Sequence, residues 1–385
     1  MIRRILAKKI EQLAGQYPIV TIIGPRQSGK TTLAQYVFAD YQYISFEDPD
    51  TRLYVSEDPR GFLKEHCSRI IIDEVQRVPN FLSYLQTHSD QQPETGQFIL
   101  TGSQHFLLSE QISQSLAGRT AILQLLPLSL EEIDMGNEFP LESYLFRGGY
   151  PRLHDKSIAP PDFFPSYIAT YLERDIRLIK NIANLASFER FLKLCAGRVG
   201  QLVNFSSLAD DVGVSHNTVK SWLSLLETSF IIFTLQPHYK KFKKRLVKMP
   251  KLYFWDTGLL CSLLGIKSET QISAHFLRGN IFESAIVSEF IKYHYNRGRS
   301  NVCYFWRDRH GKEIDCLIER SIDDLLPVEI KSGKTISNDY FKGINYWQKI
   351  SGNTSKGYVI YGGESKQTRK NSIVLPWQQC LDLFD

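Results

Sequence analysis

The chain has 385 residues, more than one globular core usually holds, so two or three domains are expected. Hydrophobic residues make up 43% and charged residues 23%, which excludes a disordered, collagen-like or coiled-coil protein. The six cysteines lack the spacing of a zinc site or a disulfide framework, and no apolar run approaches the roughly 18 residues of a membrane span. The composition therefore predicts a soluble, cytoplasmic protein without membrane contact.

The net charge of +5 is concentrated in one segment of the chain. Residues 238–251, HYKKFKKRLVKMPK, contain seven Lys and Arg residues and no acid, so the remaining residues sum to −2. Such a basic run on an otherwise balanced protein indicates either a surface for a negatively charged partner or a solvated loop.

The first segment alternates apolar runs typical of buried strands with helical stretches. The predicted strands cover residues 18–23, 43–46, 69–72, 97–100 and 121–125, and a helix is predicted at 31–38. Strands separated by helices indicate an α/β fold with a parallel sheet and helices on both faces. The sequence PLSLEE at 127–132 predicts the start of another helix.

The middle segment is predicted to be mainly helical. Residues 204–227 contain a short helix, a turn through Gly213 and a second helix capped by Ser215, which is a helix-turn-helix pattern. Two strand-like runs flank the basic run that follows. A winged helix is the expected structure.

The last segment begins with helices, one of them at 281–295, and then changes to the period of strands. The predicted strands cover residues 302–308, 313–319, 325–331 and 357–362. The three patterns divide the chain into predicted domains at 1–150, 151–255 and 256–385.

The sequence GPRQSGKT at 24–31 matches the phosphate-binding pattern G-x-x-x-x-G-K-[ST], after an apolar strand and before a helix. Its glycines let backbone N–H groups face a phosphate at the helix N-terminus, Lys30 would bridge the β- and γ-phosphates, and Thr31 would bind Mg²⁺. The predicted nucleotide-binding residues are Gly24, Gln27, Ser28, Gly29, Lys30, Thr31, Thr32 and Asp73.

Two further strands of the first segment end in polar residues. RIIIDE at 69–74 places Asp73 at the carboxyl edge of the sheet, where it can hold Mg²⁺, and Glu74 is suited to orient an attacking water. FILTGSQ at 98–104 brings Ser103 or Gln104 toward the γ-phosphate or the water. A solvated turn would also explain the adjacent acids, but the three motifs together favour catalysis.

These motifs resemble an AAA-type P-loop ATPase over about residues 1–145. The resemblance implies ATP and Mg²⁺ as cofactors, with Lys30, Glu74 and Ser103 as catalytic residues, and the chain lacks the Asn-Lys-x-Asp motif that reads guanine. It also implies a homo-oligomer in which an arginine completes a neighbour's site in trans. Arg119 of SLAGRT is the first choice, with a surface salt bridge as the alternative, and Arg26 is the second.

The last segment contains a second set of acids. Strand alternation puts Glu329 and Lys331 of VEIK on one face, Asp315 lies on the preceding strand, and Glu283 projects from the helix before it. Carboxylates on adjacent strands beside a lysine can hold a metal ion and position a water for attack on a phosphodiester. The alternative without a function is a chance alternation of charged residues on an exposed strand face.

This set resembles the restriction-endonuclease-like core, with D…E-x-K formed by Asp315, Glu329 and Lys331, and with Glu283 as the helical acid. Over nearly its whole length the chain resembles bacterial and archaeal ATP-binding proteins that join an AAA-type domain to a C-terminal domain of unknown function. The resemblance implies ATP binding and a nuclease-like domain, either active or no longer able to cut.

Two functions remain open from the sequence. One is an ATP-hydrolysing protein that acts on DNA, held by the residues Lys220, Lys240, Lys241, Lys243, Lys244 and Arg245. The other is a nucleotide-dependent regulatory switch whose nuclease-like domain is an inactive interaction platform. A small-molecule kinase is the weakest alternative because it explains only the first segment and assigns no function to the rest of the chain. Glu173, Arg174 and Asp175 stay unassigned, with a surface salt-bridge cluster favoured.

Overall fold

The computed structural model describes residues 2–92, 94–103, 115–133, 139–156, 158–172, 185–238, 248–321 and 324–384. The first part of the chain builds a five-stranded sheet in which all strands are parallel. Its elements are α1 (Ala7–Ala14), β1 (Ile19–Ile23), α2 (Lys30–Val37), β2 (Gln42–Ser45), α3 (Pro49–Glu57), α4 (Pro59–Glu65), β3 (Ile70–Asp73), α5 (Phe81–Gln91), β4 (Phe98–Gly102) and β5 (Thr120–Gln124). The five predicted strands are confirmed to within two residues, as is their parallel arrangement.

The strand order is β2-β3-β4-β1-β5, so β4 lies between the strand before the phosphate loop and the strand that ends at Asp73. Alternate side chains of β1 enter two different cores. Val20 and Ile22 pack with α1 and α2 on one face, whereas Ile19 and Ile23 pack with α3, α4 and α5 on the other. The sheet is thus covered on both faces, and its carboxyl edge stays open.

Residues 127–132 do not begin a helix, so that prediction is wrong. They form a loop and turn, in which the Glu132 carboxylate accepts the backbone N–H of Ile5 at 2.8 Å and that of Ser129 at 3.1 Å. Arg4 also donates to this carboxylate, at 3.0 Å, and both side chains are buried. The acid that suggested a helix start instead satisfies buried backbone donors.

The middle of the chain is mainly helical, as the sequence predicted. Its helices are α6 (Leu141–Arg147), α7 (Pro151–Asp155), α8 (Pro160–Tyr167), α9 (Leu185–Gly197), α10 (Phe205–Val212) and α11 (His216–Thr228). Gly213 ends α10 with φ 78°, and Ser215 caps α11 by accepting the Thr218 N–H at 3.1 Å. The helix-turn-helix is followed by β6 (Ile232–Leu235) and β7 (Lys251–Phe254), which pair antiparallel.

The last part contains a mixed six-stranded sheet that packs against a buried helix. Its elements are α12 (Thr257–Leu263), α13 (Glu269–Ala274), α14 (Arg278–Tyr295), β8 (Cys303–Arg307), β9 (Glu313–Ser321), β10 (Asp324–Lys331), α15 (Lys342–Ser351), β11 (Gly357–Tyr361), β12 (Gln367–Thr368) and β13 (Ser372–Pro376). The strand order is β12-β13-β11-β10-β9-β8. Helix α14 buries Phe282, Ile286 and Phe290 in the largest hydrophobic core.

Helix α14 also reaches back to the segment that follows β5. The Glu289 carboxylate accepts the Leu130 N–H at 2.7 Å and the Tyr144 hydroxyl at 3.1 Å, and the Lys292 ammonium donates to Leu128 O at 3.2 Å. These groups are buried. Within the described residues, no helix is both long and apolar enough to cross a membrane.

Candidate nucleotide site and acidic cluster

The phosphate-binding sequence forms the loop between β1 and α2 at the carboxyl edge of the parallel sheet. Gly24 is required by a close approach, since a Cβ there would lie 2.1 Å from Leu125 O. Gly29 precedes α2 with φ 91°, a conformation that favours glycine. The Lys30 ammonium donates to Gly24 O at 3.1 Å and to Pro25 O at 2.8 Å, which holds it over the loop.

The loop also contains buried polar atoms that no described residue satisfies. Ser28 Oγ and Gln27 Oε1 have no hydrogen-bond partner within the described part of the chain. A buried polar atom without a partner is costly, so such atoms point to a ligand that satisfies them. Thr32, also predicted to bind, is exposed one residue further along α2.

Asp73 is the centre of a hydrogen-bond network at the end of β3. The Thr31 hydroxyl lies 3.0 and 3.1 Å from its two carboxylate oxygens, the Thr101 hydroxyl donates to Oδ1, and the Tyr43 hydroxyl donates to Oδ2 at 2.9 Å. Burial, followed by the Asp73 charge, raises the pKa of Tyr43 to about 12, so the phenol stays a donor. Hydroxyl and carboxylate oxygens are ligands that suit Mg²⁺.

Glu74 adopts the left-handed region, with φ 55° and ψ 44°, at the turn after β3. This conformation costs a non-glycine residue on the order of 1 kcal/mol, and such strain is often kept at functional sites. The Ser103 hydroxyl donates to Glu74 Oε2 at 3.1 Å, and the Gln76 amide donates to the same oxygen. Sequence analysis missed Gln76, although it follows Glu74 by two residues in the motif DEVQ.

A cleft of about 970 Å³ opens beside these residues. Its lining includes residues of the phosphate loop together with Asp73 and Glu74. Many cations also line it, which suits a polyphosphate. These cations are Arg4, Arg26, Lys30, Arg52, Arg77, Arg152 and Lys156.

Arg4 supports the phosphate loop through a backbone contact at Ser28. Its guanidinium donates to Ser28 O and to Leu126 O, both at 2.7 Å, in addition to its contact with Glu132. Arg4 is 6% exposed, so this group of contacts is almost dry. Sequence analysis gave Arg4 no role, because nothing local links it to a loop more than twenty residues away.

Arg119 lies away from the cleft of its own chain. It precedes β5 at the amino edge of the sheet, where its backbone O accepts the Ile19 N–H, and its guanidinium forms a two-pronged salt bridge with Asp90 at 2.6 and 2.9 Å. The phosphate loop follows the opposite end of β1. A role in its own site is excluded by this placement, while the role in a neighbour's site stays a prediction.

Of the residues predicted to bind DNA, only Lys220 lies in the described part of the chain. Lys220 is exposed on α11, and His216 and Asn217 are exposed on the same helix. Lys240, Lys241, Lys243, Lys244 and Arg245 lie outside the described residues, as do Gln104 and the group Glu173, Arg174 and Asp175. The last lysine of the basic run, Lys251, is described and is buried in β7.

The structure brings the predicted acids of the last segment together. Lys331 Nζ lies 2.7 Å from Asp315 Oδ2 and 2.6 Å from Glu329 Oε2, and Asp315 also accepts the Ile330 N–H at 2.8 Å. Asp315 and Glu329 are 8% and 5% exposed, which excludes chance alternation on an exposed strand. A Cβ at Gly343 would lie 2.0 Å from Glu329 Oε1, so this glycine allows α15 to approach the carboxylate.

Glu283 joins this group through residues that sequence analysis missed. Lys251 Nζ lies 2.9 Å from Glu283 Oε1 and also pairs with Glu313, and the Tyr253 hydroxyl donates to Glu283 at 2.6 Å. Carboxylate oxygens of Glu283, Glu313 and Asp315 lie within 4.8 Å of one another. We call Glu283, Glu313, Asp315 and Glu329, with Lys251 and Lys331, the acidic cluster.

Burial and charge together set the protonation of the acidic cluster. Burial raises the pKa of Glu283, and burial with the nearby Asp315 raises the pKa of Glu329 well above its usual range. Burial alone would also raise the pKa of Asp315, but Lys331 and Lys251 hold it below its usual value. Although burial favours the neutral amine, the carboxylates raise the pKa of both lysines, which therefore remain charged.

The fold and the first of these sites define a P-loop ATPase domain of the AAA type, a class that binds nucleotide. In agreement, the family model described as "AAA domain" matches residues 16–134. Two models described as domains of unknown function, DUF8612 and DUF4143, match residues 139–270 and 278–380.

Relatives that match most of the chain are found in bacteria and archaea. The chain is 30% identical over 328 residues to the uncharacterized protein Rv2008c of Mycobacterium tuberculosis, covering 83% of this chain and 71% of the relative. It is 22% identical over 344 residues to the uncharacterized protein MJ1544 of Methanocaldococcus jannaschii, covering 80% and 74%. The identity and coverage of the first match show that the chain belongs to the same family as Rv2008c.

Two solved structures resemble the chain more distantly. The Walker-type ATPase PABY2304 of Pyrococcus abyssi is 15% identical, with a TM-score of 0.46 over 67% of this chain and 94% of that chain. The AMPPCP-bound DnaA of Aquifex aeolicus is 16% identical, with a TM-score of 0.31 over 58% and 86%.

Proposed function

We propose that the chain binds ATP with Mg²⁺ in the cleft and hydrolyses it. The observation that carries the proposal is the pair of acids at the end of β3, where Asp73 contacts Thr31 and the neighbouring Glu74 lines the same cleft as the phosphate loop. The loop N–H groups and Lys30 would bind the phosphates, and Thr31 with Asp73 would hold Mg²⁺. The ion would supply charge neutralisation at the phosphate oxygens.

Glu74 supports hydrolysis over transfer to another substrate. A carboxylate held beside the phosphates can accept a proton from water and orient it for attack on the γ-phosphate, with ADP as the leaving group. Ser103 anchors this carboxylate, which gives it a fixed position in the cleft. Arg119 of a neighbouring copy, once released from its salt bridge with Asp90, would stabilise the negative charge that develops on the phosphate during the reaction.

The test separates binding from turnover. Lys30→Ala should lose binding of a fluorescent ATP analogue, whereas Glu74→Gln should keep binding and lose phosphate release by at least 100-fold. Gln16→Ala is a control that should match wild type, because Gln16 is exposed and lies just before β1, at the amino edge of the sheet and away from the cleft. Normal turnover in Glu74→Gln would refute the proposal of hydrolysis.

A second function, metal-dependent cleavage of a phosphodiester, is supported by the acidic cluster. The Lys331 ammonium lies 2.7 Å from Asp315 and 2.6 Å from Glu329. Two buried carboxylates beside a lysine are an arrangement that supports metal-assisted attack of water on a phosphodiester. Oxygen ligands of this kind suit Mg²⁺ or Mn²⁺. The domain would then be restriction-endonuclease-like, and residues 256–385 would form it.

DNA is the partner that we propose for this activity. Its support is the helix-turn-helix, which with the β6–β7 pair would form a winged helix within residues 151–255, and the exposed Lys220. Cleavage of duplex DNA should require Mn²⁺ or Mg²⁺ and vanish in Asp315→Ala and Lys331→Ala. DNA affinity should fall as salt rises.

The alternative is a nucleotide-dependent switch whose nuclease-like domain no longer cuts. It is supported by Lys251, because this buried ammonium already neutralises carboxylates that a metal ion would otherwise neutralise. DNA that stays intact with ATP and either metal, together with normal ATP turnover, would favour the switch over the nuclease.

A further inference from the structure

Gln76 is a polar side chain in contact with the acid proposed to orient water. Its amide Nε2 donates to Glu74 Oε2 and lies 3.2 Å from Ser103 Oγ. Glu74 lines the cleft, whereas Gln76 and Ser103 are not among the residues that line it. The amide therefore contacts Glu74 without itself lining the cleft.

The chemistry of the contact fixes which end of the Gln76 amide faces Glu74. An ionised carboxylate only accepts hydrogen bonds, so the amide must turn its NH₂ group toward it and its oxygen away. That oxygen, Gln76 Oε1, is buried and has no hydrogen-bond partner among the described residues. An unsatisfied buried oxygen is costly, so this orientation is kept for the contact with Glu74.

The two donors leave the carboxylate with one anchored and one open oxygen. Gln76 and Ser103 both donate to Oε2, and within the residues that the structure describes no hydrogen bond reaches Oε1. A carboxylate held by one oxygen can direct the other at a water in the cleft without losing its orientation. A freely rotating carboxylate would lack this geometry.

We propose that Gln76 is a positioning residue that anchors Oε2 of Glu74 so that Oε1 faces the water attacking ATP. The inference rests on the proposed hydrolysis. Gln76 acts through Glu74 and does not touch the nucleotide, so its loss changes the rate of the chemical step and leaves ATP binding intact.

The experiment uses the full chain with ATP and Mg²⁺. Gln76→Met keeps the length of the side chain and removes its donor, and we expect kcat to fall at least tenfold while KM and the Kd for ATP stay within twofold. Gln76→Asn keeps the amide but shortens its reach, and it should also lower kcat. This second variant preserves a polar side chain if the methionine variant folds poorly.

Gln97→Met is the matched control. Gln97 is a buried glutamine of the same domain that precedes β4 at the amino edge of the sheet. Its Oε1 also has no hydrogen-bond partner among the residues that the structure describes. It should lose as much thermal stability as Gln76→Met and keep kcat. An equal fall of kcat in the two variants would assign Gln76 a purely structural role and overturn the proposal.

A double variant shows whether Gln76 acts through Glu74. In a Glu74→Gln background, Gln76→Met should cause no further fall in kcat, because the group it positions is already gone. A further tenfold fall would overturn the proposal. Full activity of Gln76→Met beside an inactive Glu74→Gln would refute this inference alone, whereas an active Glu74→Gln would refute the proposed hydrolysis itself.

Discussion

Replacing Lys251 by methionine tests whether this lysine is the internal counter-ion of the acidic cluster. Its side chain is 3% exposed, and its ammonium pairs with both Glu283 and Glu313. Methionine has a similar length and no charge, so both carboxylates, which are only 13% and 20% exposed, would have one partner fewer. Removing one member of a buried ion pair typically costs about 3–5 kcal/mol, and two broken contacts place the expected loss of stability near the upper limit.

The magnitude can be checked by a second substitution that restores the charge balance. Glu313→Gln in the Lys251→Met background relieves the repulsion between Glu313 and the neighbouring carboxylates of Glu283 and Asp315. Before this change Glu313 keeps only Arg307 as a partner among the described residues, at 3.2 Å, and Glu283 keeps its contact with Tyr253. The double variant should therefore be more stable than the single Lys251→Met variant. We expect an interaction energy of about 2–3 kcal/mol between the two positions.

Tryptophan fluorescence in urea is the suitable assay. All five tryptophans, Trp222, Trp255, Trp306, Trp347 and Trp377, lie in the middle and last parts of the chain, so the signal does not follow unfolding of the parallel sheet. Lys342→Met is the control, since Lys342 and its partner Asp339 are 77% and 71% exposed and such pairs add little stability. A Lys251→Met variant no less stable than Lys342→Met would refute the internal counter-ion.

Three further predictions concern stability, pH and assembly. Arg4→Met should cost about 3–5 kcal/mol of stability, because the buried partners of Arg4 lose their donor. The same variant should bind ATP more weakly. Unchanged ATP binding would show that the phosphate loop does not need support from Arg4. Burial, with nearby Arg side chains, lowers the pKa of His294 to about 4, so only the unfolded chain takes up this proton as the pH falls from about 6.5 to 4. Stability should fall over that range, and His294→Leu should reduce the fall in urea titrations; an unchanged pH dependence would contradict the shift. Arg119→Ala should leave stability and ATP binding nearly unchanged and reduce turnover about 10³-fold if Arg119 completes a neighbour's site; unchanged turnover would limit Arg119 to its contact with Asp90.

Local patterns were enough to predict the parallel sheet and the geometry around its phosphate loop. Strands of four or five apolar residues bounded by polar turns are recognisable alone, and the carboxyl ends of parallel strands must meet at one edge. The proximity of Thr31 and Asp73 follows from that rule. The residues that hold Asp73, Tyr43 and Thr101, could have been found by the same rule, since both lie on neighbouring strands.

The acidic cluster was only half predictable, for a physical reason. Alternation identified Glu329 and Lys331, and it would also have identified Glu313, which precedes Asp315 by two residues on one strand. Lys251 gave no such signal, because in sequence it ends a basic run that predicts a solvated surface. Its burial depends on β7 packing against α14, a tertiary contact between segments that local periodicity treats as separate.

Helix α14 explains why a division of the chain into three independent parts is incomplete. Glu283, near its beginning, belongs to the acidic cluster, while Glu289, about 9 Å further along the axis, accepts the Leu130 N–H. Leu125, five residues before Leu130, lies against Gly24 of the phosphate loop. Helix α14 and the segment from Leu125 to Leu130 therefore connect the phosphate loop and the acidic cluster through direct contacts.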